Sequence, residues 1–330
     1  MPDRQQPTSA FVVVRDTASA NDTLKGSVLA IGNFDGVHRG HRAVISAARD
    51  RARGLERKAA ALTFEPHPRS FFRPEENLFR LTDEAAKLRL FAGAGLDGAI
   101  VMTFDAALAG LEAEGFIRRV LVDRFAVAGV AVGFNFHFGK GRAGSPALLT
   151  AAGERFGFAV DVVPQWQEGG RAVSTGAVRA ALGAGHVGEA TALLGYPWFV
   201  TQQVVHGDQR GREFGYPTAN LRLDPQCGLR HGIYAVRVGI GGIWHAGVAN
   251  FGRRPMFDTG VVLLEVFLFD FSGDLYGTVL DVAFVAWIRP ELHFASNDEL
   301  VRRMDEDSRL ARIALKRAGE VLPTLDDVSG

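Results

Sequence analysis

The stretch SVLAIGNFDGVHRGH, Ser27 to His41, decides the fold. Val28 to Ile31 is a short aliphatic run without polar alternation, the pattern of a strand buried on both faces. A loop of small and polar residues follows at once, and His41 to Leu55 then has the apolar spacing of a helix. Such a loop presents the free N–H groups and the positive end of the helix dipole to solvent, a natural seat for a phosphate. His38 and His41 are three apart at the helix start, so both can donate to one phosphoryl group. Gly40 between them lets the backbone approach that group. Donors fixed in advance where charge gathers on an α-phosphate lower the barrier to nucleotidyl transfer without a covalent intermediate. Two blander readings fit the same residues: a solvated helix start with incidental histidines, or a metal site of Asp35, His38 and His41.

Working outward, the spacing predicts strands over Ala59 to Phe64, Gly98 to Phe104 and Val127 to Val132, and helices over Asp83 to Ala94 and Glu112 to Phe125. Strands alternating with helices are the sequence form of βαβ units around a parallel sheet, an α/β fold whose ligands sit beyond the carboxyl ends of the strands. After Gly195 the pattern changes. Gly232 to Gly239, Ile243 to Asn250, Leu263 to Phe271 and Thr278 to Arg289 are strand-like with no helix between them, which predicts an antiparallel sheet or small barrel. A charged amphipathic helix over Asn297 to Gly319 closes the chain, with Leu300, Met304, Leu310, Ile313 and Leu315 as its inward face. The domain boundary is expected at 194/195.

Composition narrows the class. The 330 residues suit about two domains, and 47% apolar content is enough for a core in each. Thirty-seven Lys and Arg balance 37 Asp and Glu, so no global basic field points to nucleic acid as a partner. A single cysteine, Cys227, makes no internal disulfide, and the first ten residues lack a basic-then-apolar leader, so the chain reads as cytoplasmic. The longest plain apolar stretch, Phe125 to Phe134, is half the ~20 residues that a membrane helix needs, so no membrane partner is expected.

The second half carries its own polar constellation. Gly207, Gly211 and Gly215 are four apart ahead of Tyr216-Pro217-Thr218-Ala219-Asn220. Such glycines can expose N–H groups to phosphates, and the Thr218 hydroxyl and Asn220 carbonyl are hard oxygen donors suited to Mg²⁺; an ordinary glycine-rich hairpin is the plainer alternative. In Leu263 to Phe271, Glu265 shares a strand face with Leu263, Phe267, Phe269 and Phe271. A carboxylate there is paired, at a sheet edge, or a base whose proton affinity is raised by desolvation.

GNFDGVHRGH (Gly32 to His41) resembles the nucleotidyltransferase signature of the prokaryotic bifunctional riboflavin kinase/FAD synthetases. LTFEPHP (Leu62 to Pro68), GFNFHFGKGRAG (Gly133 to Gly144), HGDQRGREFGYPTANL (His206 to Leu221) and LLEVFLFDFSGDLYG (Leu263 to Gly277) extend the likeness, in family order, over nearly the whole chain. The resemblance implies a Rossmann-like FMN adenylyltransferase domain at 1–194 and a small antiparallel β-barrel riboflavin kinase domain with a C-terminal helix at 195–330. It implies ATP, riboflavin, FMN and FAD as substrates and products, and Mg²⁺ for both steps. It puts ATP on Asn33, Phe34, Asp35, Gly36 and Gly40, makes His38 and His41 transition-state donors, and puts flavin on Pro66, His67, Pro68, Asn135 and Phe138. In the barrel it implies phosphate contacts at Gly207, Gly211 and Gly215, Mg·ATP contacts at Thr218 and Asn220, and Glu265 as catalytic base. Two positions depart from the family pattern. Val173-Ser174-Thr175-Gly176-Ala177-Val178-Arg179 has glycine where threonine is usual, leaving Ser174, Thr175 and Arg179 for ATP phosphates, and Met256 stands where threonine is common. On the residues alone, a nucleotidyltransferase for another mononucleotide, or a flavin- or nucleotide-binding regulator, also fits.

Overall fold

The computed structural model describes residues 10–16, 22–206, 216–253 and 262–325. The chain divides into two compact units, one of residues 1–78, 82–173 and 324–330, the other of residues 79–81 and 174–323.

The first unit is built on a six-stranded parallel sheet. Its elements are β1 (Val12–Arg15), β2 (Val28–Ile31), α1 (Arg39–Gly54), β3 (Ala59–Glu65), α2 (Pro68–Phe72), α3 (Glu84–Gly93), β4 (Gly98–Thr103), β5 (Gly129–Gly133), α4 (Pro146–Phe156), β6 (Ala159–Val163) and a small hairpin, β7 (Gln167–Glu168) and β8 (Arg171–Ala172). Every residue of β2 and all but the last of β3 are buried, as strands covered on both faces must be. The edge strands β1 and β6 are half-exposed and polar in part, and the sequence pattern did not single them out. The expected helix over Glu112 to Phe125 is a short turn, Ala113–Gly115, running into a wider π-wound segment, Phe116–Arg124.

The strand order β1-β4-β3-β2-β5-β6 positions the chemistry. From β2 the chain steps to one side for β3 and β4, then crosses to the other side for β5 and β6. The carboxyl end of β2 therefore lies at the topological switch point, where open α/β sheets bind ligands.

The second unit is a closed barrel of antiparallel pairs, in the order β10-β13-β12-β11-β14-β9. Helices α5 (Thr175–Gly183) and α6 (Val187–Leu194) precede β9 (Phe199–Val205), β10 (Ala219–Leu223), β11 (Gly232–Ile240), β12 (Ile243–Arg253), β13 (Val262–Leu268) and β14 (Val279–Arg289), and α7 (Asn297–Ala318) follows. Helix α6 packs on β14, which explains why this unit starts at Ser174 rather than at the composition change near Gly195. Trp198 is enclosed here, donating from Nε1 to the Leu81 carbonyl at 2.8 Å and stacking on Phe284 with ring centroids 5.1 Å apart. Helix α7 buries Asp307, Ala311 and Leu315, while the expected inward residue Ile313 is 37% exposed. A charged residue takes the inner face because Arg289, itself buried, grips Asp307 through Nε at 2.8 Å and Nη2 at 2.5 Å.

Candidate functional sites

Helix α1 begins at Arg39 because His38 caps it: His38 Nδ1 accepts a hydrogen bond from the His41 backbone N–H at 3.2 Å. A backbone N–H can only donate, so in the neutral ring the proton of His38 sits on Nε2. The two imidazoles stack with centroids 3.6 Å apart and planes 13° from parallel. Burial lowers the His38 pKa from 6.5 to about 4. His41 is held well below its ordinary value, first by burial and then by His38 and Lys87, and its Nδ1 is enclosed without a protein hydrogen-bond partner. The pair is a set of neutral N–H donors at neutral pH. A Cβ at position 40 would lie 3.2 Å from His38 Cε1 and 3.3 Å from its Nδ1, so Gly40 makes room for the imidazole.

The loop ahead of the pair is braced from within. Phe34, with φ of 52°, points into the core, edge-on to His41 and to Phe91 with ring centroids 5.3 Å away in each case. Asp35 is buried and its Oδ1 accepts the Thr82 N–H at 3.1 Å, while the Gly36 N–H donates to Thr82 Oγ1 at 3.0 Å. Asp35 is thus a clamp on α3. No cluster of three or more His, Cys, Asp or Glu able to hold a metal occurs among the described residues, which removes the reading of Asp35, His38 and His41 as a metal site. Asn33 is exposed, and its carbonyl accepts the Thr63 hydroxyl at 3.3 Å.

Two further loops leave the same edge of the sheet. After β3, Pro66 is exposed, and His67 caps the short α2 through Nδ1 at 3.1 Å, with Pro68 opening the helix. Exposed Phe71 and Phe72 pack edge-on against Phe104, an aromatic face that the sequence did not advertise because its third ring comes from the end of β4. After β5, Asn135 is exposed, but Phe138 is a core residue: its ring is 8% exposed, stacks on Phe136, and lies where a Cβ on Gly144 would meet it at 2.7 Å. The ring expected at the flavin is committed to packing.

Ser174 caps α5, its Oγ accepting the Ala177 N–H at 3.2 Å, and Arg179 donates from Nε to the Phe79 carbonyl at 2.6 Å. Thr175 and Gly176 occupy the first turn of that helix, and a Cβ on Gly176 would meet only Ser174 Oγ, at 3.8 Å.

In the barrel, Gly207, Gly211, Gly215 and Met256 lie outside the described residues. The structure does bring Asn220 and Glu265 together and adds a residue the sequence reading missed. On adjacent strands Asn220 stands opposite Glu265, and Glu265 opposite Asn250. Directly opposed residues share a face, so the three form one polar row across β10, β13 and β12. Along β13 the fully buried residues are Val262, Leu264, Val266 and Leu268, which puts Glu265 on the half-buried face of a central strand, not at an edge. Asn250 Nδ2 donates to Glu265 Oε2 at 3.4 Å, and Asn220 Nδ2 donates to the Thr218 carbonyl, also at 3.4 Å. Both amides thus spend their donors on the protein, and both Oδ1 atoms are enclosed with no hydrogen-bond partner. Only strand pairing could have revealed Asn250.

Two family descriptions match this chain: FAD synthetase over residues 20–177 and riboflavin kinase over residues 194–315. The bifunctional riboflavin kinase/FMN adenylyltransferase of Escherichia coli K12 is 42% identical over 289 residues, covering 87% of this chain and 92% of that protein. The protein of the same name from Haemophilus influenzae is 39% identical, covering 91% of this chain and 98% of its own length. A crystal structure described as a macrolide-efflux protein from Streptococcus pneumoniae superposes with a TM-score of 0.81 at 29% identity, over 92% of this chain and 99% of that one. Among the described residues no helix is long and apolar enough to cross a membrane.

Proposed function

We infer the division of labour from one premise: this chain belongs to the bifunctional riboflavin kinase/FMN adenylyltransferase family. It phosphorylates riboflavin to FMN with ATP and adenylylates FMN to FAD with ATP. We assign adenylyl transfer to the carboxyl edge of the parallel sheet. An oxygen of the FMN phosphate attacks the α-phosphorus of ATP, and the bond to the β-phosphate oxygen breaks to release pyrophosphate. His38 and His41 donate to the α-phosphate oxygens as charge builds there, and the N-terminus of α1 adds its dipole. The observation that carries this assignment is the neutral, stacked pair at the switch point. Asn33 and Gly36 line the nucleotide loop, with Phe34 and Asp35 bracing it from behind. Pro66, His67, Pro68, Asn135 and the exposed Phe71 and Phe72 form the flavin side. Ser174, Thr175 and Arg179 are assigned to ATP phosphates on the family resemblance.

Riboflavin phosphorylation is assigned to the polar row of the barrel. The ribityl 5′-hydroxyl attacks the γ-phosphorus, its proton passes to Glu265, and ADP leaves. Mg²⁺ fits the residues present: two enclosed amide oxygens, of Asn220 and Asn250, lack a protein partner beside a carboxylate, a hard-oxygen donor set. Thr218 and Asn220 would hold the ion, which when bound neutralises phosphate charge. Gly207, Gly211 and Gly215 are assigned to phosphates, and the cytoplasm is the proposed location.

The test is a time course with purified protein, riboflavin, ATP and Mg²⁺, resolving FMN and FAD. His38→Ala should stop the course at FMN, whereas Glu265→Gln should block FMN but leave FAD formation from supplied FMN. Parallel loss of both products in either folded variant refutes the assignment.

A further inference from the structure

Lys87 is an ammonium in the core. Its side chain is 2% exposed on α3, where its neighbours Ala86, Leu88, Leu90 and Phe91 are buried apolar residues. Its Nζ donates to Glu65 Oε1 at 2.8 Å and to Thr63 Oγ1 at 3.3 Å, two residues on one face of β3. Each of those contacts leads into a loop of the adenylyl site. The Thr63 hydroxyl donates a hydrogen bond to the Asn33 carbonyl, at the start of the nucleotide loop, and Glu65 directly precedes Pro66, His67 and Pro68. One turn before Lys87, Thr82 clamps Asp35 and Gly36. Lys87 of α3 and Thr82 in the segment just before that helix therefore hold the nucleotide loop at its start and its middle, and Lys87 holds the root of the flavin-side loop as well.

We propose that Lys87 is a positioning residue of the adenylyl site, fixing the nucleotide loop and the Pro66–Pro68 loop in one frame. This rests on the assignment of adenylyl transfer to that edge of the sheet. Lys87 touches no substrate, so its effect is on the mutual register of two substrates that each bind to their own loop. Misplacement by about an ångström between reacting groups costs up to about 10²-fold in rate.

The experiment compares wild type with Lys87→Met, Lys87→Met/Glu65→Leu and His38→Ala, measuring kcat and KM for FAD formation, riboflavin kinase rate and thermal midpoint on the full chain. Lys87→Met should lower adenylyl kcat about 10- to 100-fold with KM for ATP and FMN within about threefold and the kinase rate unchanged. It should also lower the thermal midpoint, because Glu65 loses its buried partner. The double variant removes both charges and should recover the midpoint without recovering kcat, and it carries the same measurement if Lys87→Met does not fold. Recovery of kcat in the double variant, or a fall in kinase rate in step with FAD formation, overturns the proposal in favour of a structural ion pair. Full activity of His38→Ala, by contrast, removes the site assignment itself. Loss in His38→Ala with wild-type kcat in Lys87→Met sinks the proposal alone.

Discussion

Replacing His38 separates the cap it places on α1 from the donation to substrate proposed for it. The cap is one hydrogen bond, from the His41 N–H to Nδ1 at 3.2 Å, and losing a side-chain cap costs about 1 kcal/mol of stability. The donor is the Nε2–H that this cap enforces, and removing one preorganised donor costs roughly 10²-fold or more in rate, about 2.7 kcal/mol of barrier. His38→Ala loses both. His38→Asn keeps a good capping side chain but places no donor where Nε2 stood, so it should regain most of the stability and little of the rate. The assay is FAD formation from FMN and ATP, normalised to riboflavin phosphorylation by the same preparation, with thermal midpoints in parallel. A His38→Asn variant that makes FAD within about threefold of wild type would falsify the donor role and leave His38 as a cap.

Three further outcomes follow from the geometry. A buried neutral histidine must be protonated to unfold in acid, so His38 contributes stability that is complete above its ordinary pKa of 6.5 and is lost as pH falls toward its folded value of about 4. Chemical denaturation between pH 7 and 4 should therefore show up to ~3 kcal/mol less acid destabilisation in His38→Asn than in wild type, and identical pH dependence would contradict the burial argument. A Cβ on Gly176 meets only Ser174 Oγ, at 3.8 Å, so Gly176→Thr should fold with an unchanged or higher thermal midpoint and form FAD faster or at lower ATP; no change in either kinetic constant would mean that Ser174, Thr175 and Arg179 suffice. Glu265→Gln should cost the kinase about 10²- to 10⁴-fold while FAD formation from FMN is untouched, and a loss below tenfold would make Glu265 a substrate positioner.

What the sequence made legible follows the distance over which each signal acts. The Ser27 to His41 stretch carries strand, loop and histidine pair within fifteen consecutive residues, and each is where its spacing placed it, with a helix start two residues early and a cap by His38 that only the structure reveals. Four of the six barrel strands, β11 to β14, were readable as strand-like runs, but β9 and β10 were not singled out, and Asn250 was hidden because its relation to Glu265 exists only across the β12–β13 ladder. Lys87 was legible in principle: a lone charge among Ala86, Leu88, Leu90 and Phe91 is a helix position that must find a buried partner. Phe138 taken alone reads as core packing rather than a stacking platform, and its place on Phe136 and under Gly144 agrees with that reading; the flavin contact came only from the family resemblance. The unit boundary at Ser174 was hidden because α5 and α6 have the periodicity of the first half while packing with the second.

The two sites solve the same electrostatic problem by different means. At the adenylyl site an imidazolium pair stacked at 3.6 Å would repel itself and lose hydration, and burial resolves this by keeping both rings neutral. Neutral donors bring direction but no charge, so in the proposed adenylyl site the dipole of α1 would supply the fixed positive potential, while Lys87 is neutralised by Glu65 at 2.8 Å. In the barrel there is no helix terminus among Asn220, Glu265 and Asn250, and the row offers oxygens rather than N–H groups to its ligands. Under the proposed assignment such a row would repel phosphate unless a cation stood between them, so riboflavin phosphorylation is the step proposed to take a divalent ion through this chain's own residues. Substituting Asn220 by Asp should strengthen the demand for that cation, whereas the histidine pair has no oxygen ligand to substitute.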